Sequence, residues 1–276
     1  MRTLLQPGPV HPVRIDSFGG NLVPIRFVLR AGLSLTDALA GPLVEAGLQS
    51  ATLVVKGGAL NPFRYVMPGP ADSPAHVAYF TAPREPIGTT HIEQANAIFG
   101  WNDGKPFLHC HATWVEPDGQ RRGGHILASE STVCEETEVE AWGFHDIRIA
   151  TAPDAETNFT LFQPSGISQP GNAVFARVKP NEDITGAIRS IAAAYGMNNA
   201  VIRGSLGSLV GARFTDGAGV DDCATEVLVR SGSLRDGIVA LELSAVDMAG
   251  AVHDGQMAPD DNPVCITFDL VIQRTD

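Results

Sequence analysis

The sequence predicts an α+β protein in which two strand-rich modules follow one another along the chain. At 276 residues the chain is long enough for two ordinary domains. Its 29 glycines and 19 prolines predict many turns, and its 44% hydrophobic against 18% charged residues indicate a globular protein with a core. The predicted elements of the first half also recur in the same order in the second half, which indicates an internal duplication.

Charge and composition exclude several classes of protein. The net charge is −12, and nucleic-acid binding is driven by Lys and Arg, so we do not expect a nucleic-acid partner. No apolar run reaches the length of a membrane span, and residues 1–12 lack the apolar core of a signal peptide. The four cysteines have no metal-ribbon spacing and suggest no disulfide framework. We therefore expect a cytoplasmic protein without a membrane partner.

The first module is predicted to follow an extended arm. Pro7, Pro9 and Pro12 prevent a helix in residues 1–20. Residues 22–29 are rich in strand formers, and an amphipathic helix follows at residues 35–46, where Gly47 provides its C-cap. We expect this module to span residues 21–150.

Further strands are predicted beyond this helix. The sequence SATLVVK at residues 50–56 predicts a buried strand that ends at Gly57 and Gly58. Residues 61–67, 75–81 and 132–142 are also strand-like, residues 68–74 predict a loop, and residues 82–105 have no regular pattern.

The second module repeats this order. A strand at residues 174–178 precedes a helix at 183–194, which Gly196 ends, and a strand at 199–203 follows. Marker residues align as well, with Arg64 on Arg213, Cys134 on Cys265 and Glu138 on Asp269. We place a linker at residues 151–171, where a short strand at 159–162 is possible, and the second module at residues 172–276.

A histidine-rich hairpin is the main chemical feature of the first module. His109 and His111 lie two residues apart in a strand-forming run, so both rings project from one face. Pro117, Asp118 and Gly119 predict a turn. The returning strand then brings His125 opposite His111, and Cys110 faces the core.

Three converging imidazoles are suited to a divalent metal ion. Neutral histidines with open coordination positions are typical of catalytic Zn²⁺ sites. We therefore predict His109, His111 and His125 as ligands of a divalent ion, with Zn²⁺ as the expected metal. A substrate-binding or purely structural histidine cluster is the alternative. Gly123 and Gly124 are expected to leave room beside the rings.

The second module lacks this set of ligands. The internal alignment puts Glu242, Ser244 and Gln256 where the first module has its histidines. A carboxylate, a hydroxyl and an amide are a poor substitute for three imidazoles. We therefore expect the second module to be degenerate and structural.

These motifs resemble those of the PPC (plants and prokaryotes conserved) domain family. The histidine pair, the GGHIL sequence at residues 123–127 and the trailing Glu138 occur in the family's order. The resemblance implies a mostly antiparallel sheet flanked by one or two helices in each of two tandem copies, and assembly as a homotrimer. It also implies a bacterial type, because the sequence has no AT-hook.

Other candidate residues have weaker support. Arg64 and Lys56 could clamp an anionic substrate, although Arg64 recurs in the degenerate copy and could equally form a structural ion pair. Glu138 is a candidate general base or a member of a solvated face. His91 is a candidate fourth ligand or proton shuttle, because it lies in a segment that the second copy lacks.

Two functions remain open at this stage. The first is a metal-dependent protein that binds or acts on a small anionic molecule, with hydrolase, lyase or isomerase chemistry as the candidate activities. The alternative is a DNA-associated regulatory or architectural protein, which only the family resemblance supports. DNA affinity that falls steeply with rising salt would favour the alternative.

Overall fold

The computed structural model describes residues 2–276, so Met1 of the expected arm lies outside the described residues. Within this range the protein is α+β, with mostly antiparallel sheets and two α-helices. The fold class predicted from the sequence is confirmed. No helix within residues 2–276 combines the length and the apolar character needed to cross a bilayer.

The first half contains helix α1 at Leu35–Glu45 and a short 3₁₀ helix at Ala128–Glu130. Its strands are β1 Ile15–Gly20, β2 Val23–Leu29, β3 Ser50–Lys56, β4 Ala59–Leu60, β5 Tyr65–Val66, β6 Pro68–Gly69, β7 Tyr79–Phe80, β8 Thr90–Asn102, β9 Lys105–Val115, β10 Arg121–Ile126, β11 Thr137–Phe144, β12 Ile147–Pro153 and β13 Thr160–Gly166.

The second half contains helix α2 at Ile184–Ala194. Its strands are β14 Ala173–Val178, β15 Asn199–Ile202, β16 Leu206–Leu209, β17 Ala212–Arg213, β18 Gly219–Val220, β19 Thr225–Arg235, β20 Ile238–Val246, β21 Val252–Gln256 and β22 Val264–Arg274.

The two large sheets share the order of six strands, which is β2-β11-β3-β8-β9-β10 in the first and β14-β22-β15-β19-β20-β21 in the second. The first sheet adds β5 beside β10, and the second adds β1 beside β14. In both sheets the helix follows the strand that pairs with β11 or β22. The hairpin formed by β9 and β10 in the first sheet therefore has the position that β20 and β21 have in the second.

Both helices begin with a capped N-terminus. The Ser34 hydroxyl accepts a hydrogen bond from the amide of Asp37, and the Asp183 carboxylate accepts one from the amide of Gly186. The apolar face of α1, which includes Leu39 and Leu43, packs on the first sheet. Helix α2 packs on the second sheet in the same way.

The sheets pack against each other through the faces that do not contact a helix. A third cluster of buried side chains combines Ile98 and Phe144 of the first half with Phe175 and Val271 of the second. The Asn96 amide also donates to two backbone carbonyls of the second half, Ser205 and Val229, at 3.0 and 2.8 Å. The layers are therefore helix, sheet, sheet and helix, and the face shared by the two sheets is buried.

Strand β8 was not predicted from the sequence. Residues 82–105 lack regular alternation, yet Thr90–Asn102 forms a long strand between β3 and β9. Ala97 and Phe99 contact the first core, whereas Asn96 and Ile98 face the second sheet. Because both faces of β8 are buried, polar and apolar residues do not alternate along it.

The expected arm and linker contain regular structure as well. Residues 15–20 of the arm form β1, the edge strand of the second sheet, in register with β14 from Ile15 opposite Val178. The strand begins after the last of the three prolines, where backbone N–H groups can pair again. In the expected linker, β13 pairs with β12 and so joins the first sheet. The domain boundaries themselves remain a prediction.

Candidate metal centre

His109, His111 and His125 lie together on the inner face of the first sheet. His111 is directly opposite His125 in the β9/β10 ladder, which is the register predicted from the hairpin. The ring centroids are 4.7 to 5.4 Å apart, and one ligand atom from each ring lies within 4.8 Å of the others. Cys110 points to the opposite face and packs in the first core, as expected.

Groups from the second half orient two of the three rings. Nδ1 of His111 donates to the backbone carbonyl of Val227 at 3.0 Å, and Nδ1 of His109 lies 3.3 Å from a carboxylate oxygen of Asp269. A carbonyl oxygen only accepts, so the hydrogen of a neutral His111 ring is on Nδ1 and its lone pair is on Nε2. The same reasoning puts the lone pair of a neutral His109 on Nε2.

These two lone pairs face each other across a short distance. Nε2 of His109 and Nε2 of His111 are 3.1 Å apart. Two facing lone pairs repel unless a proton or a metal ion lies between them. Two nitrogen ligands of one tetrahedral zinc ion are about 3.3 Å apart, because each Zn–N bond is about 2.0–2.1 Å long. The spacing therefore fits a shared divalent ion.

Burial favours the neutral, ligating form of the rings. Burial, followed by the neighbouring His109 and His125, holds the pKa of His111 well below its usual value. Burial and His109 lower the pKa of His125 to about 3. Nδ1 of His125 is buried without a hydrogen-bond partner. An unpaired ring nitrogen in this position is available to a metal ion.

The histidines line a cavity of about 80 Å³ between the two sheets. Tyr79, Phe80, Phe159 and Leu161 form an apolar wall, in which the rings of Tyr79 and Phe159 stack with centroids 5.5 Å apart. The remaining wall comes from the second half and includes residues of β16, β19 and β22. The site is thus enclosed by both halves of the chain.

Glu226 contributes a buried carboxyl group to this cavity. It is 4% exposed, and its Oε1 lies 3.9 Å from Nε2 of His111. Burial raises the pKa of the Glu226 carboxyl well above its usual value. The centre therefore combines three imidazoles of the first half with two carboxyl groups of the second, those of Glu226 and Asp269.

The paired glycines have a different role from the one expected. A Cβ at Gly123 would lie 2.5 Å from a methyl group of Val246, and a Cβ at Gly124 would lie 2.6 Å from the carbonyl oxygen of Val66. Gly123 therefore permits close approach of the second half, and Gly124 permits close approach of β5. Neither glycine is needed to make space beside the rings.

The structure does not bring the other candidate residues to the histidines. Arg64 forms ion pairs with Glu85 and Glu130, which corresponds to the structural alternative. Lys56 and Glu138 line a separate surface groove near β2. His91 is exposed on β8 opposite Val115, at the far end of the ladder from His109. None of the four lines the cavity that the histidines form.

Sequence reasoning missed the part of the site that the second half provides. The internal alignment pairs Asp269 with Glu138, so the sequence did single out Asp269. Glu226 and the Val227 carbonyl had no such signal, because the contact between β19 and β9 joins residues more than 100 positions apart. The second half thus contributes groups to the histidine site.

No protein-family model matches the chain, and no curated protein matches it. Among solved structures, the chain is similar to a metal-containing protein from Archaeoglobus fulgidus, at 21% identity and a TM-score of 0.43 over 53% of this chain and 97% of the other. It is also similar to a candidate DNA-binding protein from Ralstonia eutropha JMP134, at 20% identity and a TM-score of 0.39 over 50% and 89% of the two chains. A plant- and prokaryote-conserved (PPC) protein from Pyrococcus horikoshii matches at 16% identity and a TM-score of 0.40 over 56% and 97%.

Proposed function

We propose that this chain is a tandem PPC-type protein of the bacterial kind that holds one divalent metal ion, Zn²⁺, at His109, His111 and His125. The shared strand order of the two sheets and the recurring marker residues support the tandem arrangement. The second copy has no histidine at the aligned positions Glu242, Ser244 and Gln256. One ion per chain is therefore expected.

The observation that carries this proposal is the pair of facing Nε2 atoms, 3.1 Å apart, on rings whose Nδ1 atoms have acceptors. Such acceptors are the usual partners of metal-bound histidines, because they fix the tautomer and the ring orientation. Imidazole ligands suit Zn²⁺ among the common divalent ions. The buried, unpaired Nδ1 of His125 adds a third available donor.

The cavity favours a small molecule that has one anionic oxygen and an apolar body. Among the described residues, no Lys or Arg lines the cavity, so the ion itself would supply the positive charge that attracts an anion. Tyr79, Phe80 and Phe159 would contact the apolar part. A bound divalent ion supplies Lewis-acid chemistry, which polarises a substrate oxygen or activates a water.

Elemental analysis of the untagged protein tests the metal proposal. We expect about one metal ion per chain in the wild type and none in the His109→Ala/His111→Ala double variant. His91→Ala is the matched control, because His91 is an exposed histidine of the same sheet outside the cavity. Two ions per chain, or full metal content in the double variant, would contradict the proposal.

DNA association is the competing function. A net charge of −12 predicts little affinity for DNA at any salt concentration. A titration with duplex DNA at low and at high salt separates the two functions. Strong binding at low salt that collapses as the salt concentration rises would favour the DNA-associated function.

We further propose that the chain assembles as a homotrimer in a reducing cytoplasm. Val28 and Leu33 are exposed and line a groove beside the edge strand β2, which a second copy would cover. The cysteines are free thiols, as is typical of reducing compartments. Light scattering of the purified protein gives the oligomeric state directly, and a monomer would exclude the trimer.

A further inference from the structure

Glu226 occupies a position that the histidine cluster by itself does not explain. It lies at the start of β19 and enters the cavity from the second half. Its Oε1 is 3.9 Å from Nε2 of His111, the atom that faces His109. Its Oε2 is buried without a hydrogen-bond partner.

Only an ionised carboxylate in such an environment requires a cation. Buried charged groups in proteins are paired or coordinate a metal, because an unpaired buried charge is costly. Among the residues described, the cavity wall contains neither Lys nor Arg. The nearest arginine of the same strand, Arg230, pairs with Asp254 at 3.1 Å. The cluster of imidazoles is the remaining place from which a positive charge can reach Glu226.

We propose that Glu226 is the fourth protein ligand of the metal ion, so that the centre is a three-histidine, one-carboxylate site shared by both halves of the chain. This inference rests on the proposed metal function and deepens it. Two ligands of one ion are at most about 4.2 Å apart when each metal–ligand bond is about 2.1 Å long. The 3.9 Å between Oε1 of Glu226 and Nε2 of His111 lies within that limit.

A ligand set of three imidazoles and one carboxylate changes which metal ion and which chemistry the site supports. Four protein ligands would fill a tetrahedral zinc ion, so a substrate oxygen would bind zinc here as a fifth ligand. An ion that accepts five or six ligands, such as Co²⁺, Mn²⁺ or Fe²⁺, keeps open positions in the same set. Coordination by Glu226 would also link β19 to the β9/β10 hairpin, so metal binding would stabilise the packing of the two sheets.

The test uses the full chain, stripped of metal and titrated with Co²⁺ in competition with a chelator. We expect Glu226→Gln to weaken Co²⁺ binding by more than the roughly 10- to 100-fold that loss of an outer partner costs. We also expect the visible absorption of bound Co²⁺ to change in band position and intensity, because an oxygen ligand is lost. Asp254→Asn is the matched control, since it removes a carboxylate between Arg121 and Arg230 outside the cavity.

The outcomes separate this inference from the proposed function. A wild-type chain that binds one Co²⁺, with unchanged affinity and spectrum in Glu226→Gln, would overturn the role of Glu226 and leave the three-histidine centre standing. A wild-type chain that binds no Co²⁺ would overturn both. If Glu226→Gln does not fold, the shorter acid in Glu226→Asp should keep binding and alter the Co²⁺ spectrum, and an unaltered spectrum would again reject the ligand.

Discussion

The hairpin of β9 and β10 and the hairpin of β20 and β21 have the same place in their sheets but different surroundings. The first hairpin is covered by β16 and β19 of the other half, and it buries its histidines. In the second hairpin Glu242 and Gln256 are exposed, and the hydroxyl of Ser244 donates to Asp254 at 2.6 Å. The difference indicates that a metal centre at this position would need burial by the second sheet as well as ligands.

The covering half supplies chemistry in addition to burial. Asp269, Val227 and Glu226 reach the first hairpin from β22 and β19. To the second hairpin the first half offers Arg121, which pairs with Asp254 at 2.8 Å, while the aligned Glu242 and Gln256 are exposed. The first half thus carries the histidines, while the second half contributes groups that orient them. The predictions below test this division of labour, starting with the largest effect.

Replacing a histidine should abolish metal binding, whereas replacing its aligned partner should not. We expect His125→Ala to reduce the metal content well below one ion per chain, because one of the three imidazole ligands is lost. Gln256→Ala should retain the wild-type content. Elemental analysis of both variants after dialysis measures the contrast, and equal losses would refute the asymmetry between the hairpins.

The next contrast compares two aligned acids. We expect Asp269→Asn to weaken metal affinity by about 10- to 100-fold, because the acceptor that orients His109 becomes a neutral amide. Glu138→Gln, at the aligned position in the first half, should leave the affinity unchanged, since Glu138 lies in a separate groove. A chelator competition titration gives both values. A comparable loss in the Glu138 variant would argue against the assigned role of Asp269.

The contact between the halves can be weakened without touching the cavity. Asn96→Ala removes an amide that donates to the carbonyls of Ser205 and Val229, so Ser205 would keep only the hydrogen bond from the amide of Val229. We expect the free energy of unfolding to fall by about 1–3 kcal/mol. Urea denaturation of the metal-free protein is the measurement. An unchanged midpoint would mean that these hydrogen bonds contribute nothing to the packing of the sheets.

The smallest expected effect compares the two helices. Gly41 lies inside α1, and an added Cβ would meet nothing within 4 Å, whereas α2 has Ala193 and Ala194 in its last turn. We expect Gly41→Ala to raise the free energy of unfolding by about 0.5–1 kcal/mol, because alanine loses less backbone entropy in a helix. The same denaturation assay detects the gain. A loss of stability would indicate an unrecognised contact on that face.

Local patterns predicted much of this architecture. The two helices and the pairing of His111 with His125 follow from interactions between residues close in the sequence. Strand β8 was missed because its two buried faces remove the alternation that marks a strand. The roles assigned to Arg64, Lys56, Glu138 and His91 relied on proximity along the chain, and the tertiary structure keeps these residues out of the cavity.

By itself, the sequence determined that the imidazoles of two neighbouring strands converge on one face of the sheet, since strand periodicity and a short turn are local properties. Only the tertiary structure decided that Glu226 and Asp269 join them, and that the site is closed by a second sheet. The reason is that sheet-on-sheet packing depends on the summed shape and apolar area of two complete faces, which no short stretch of residues encodes.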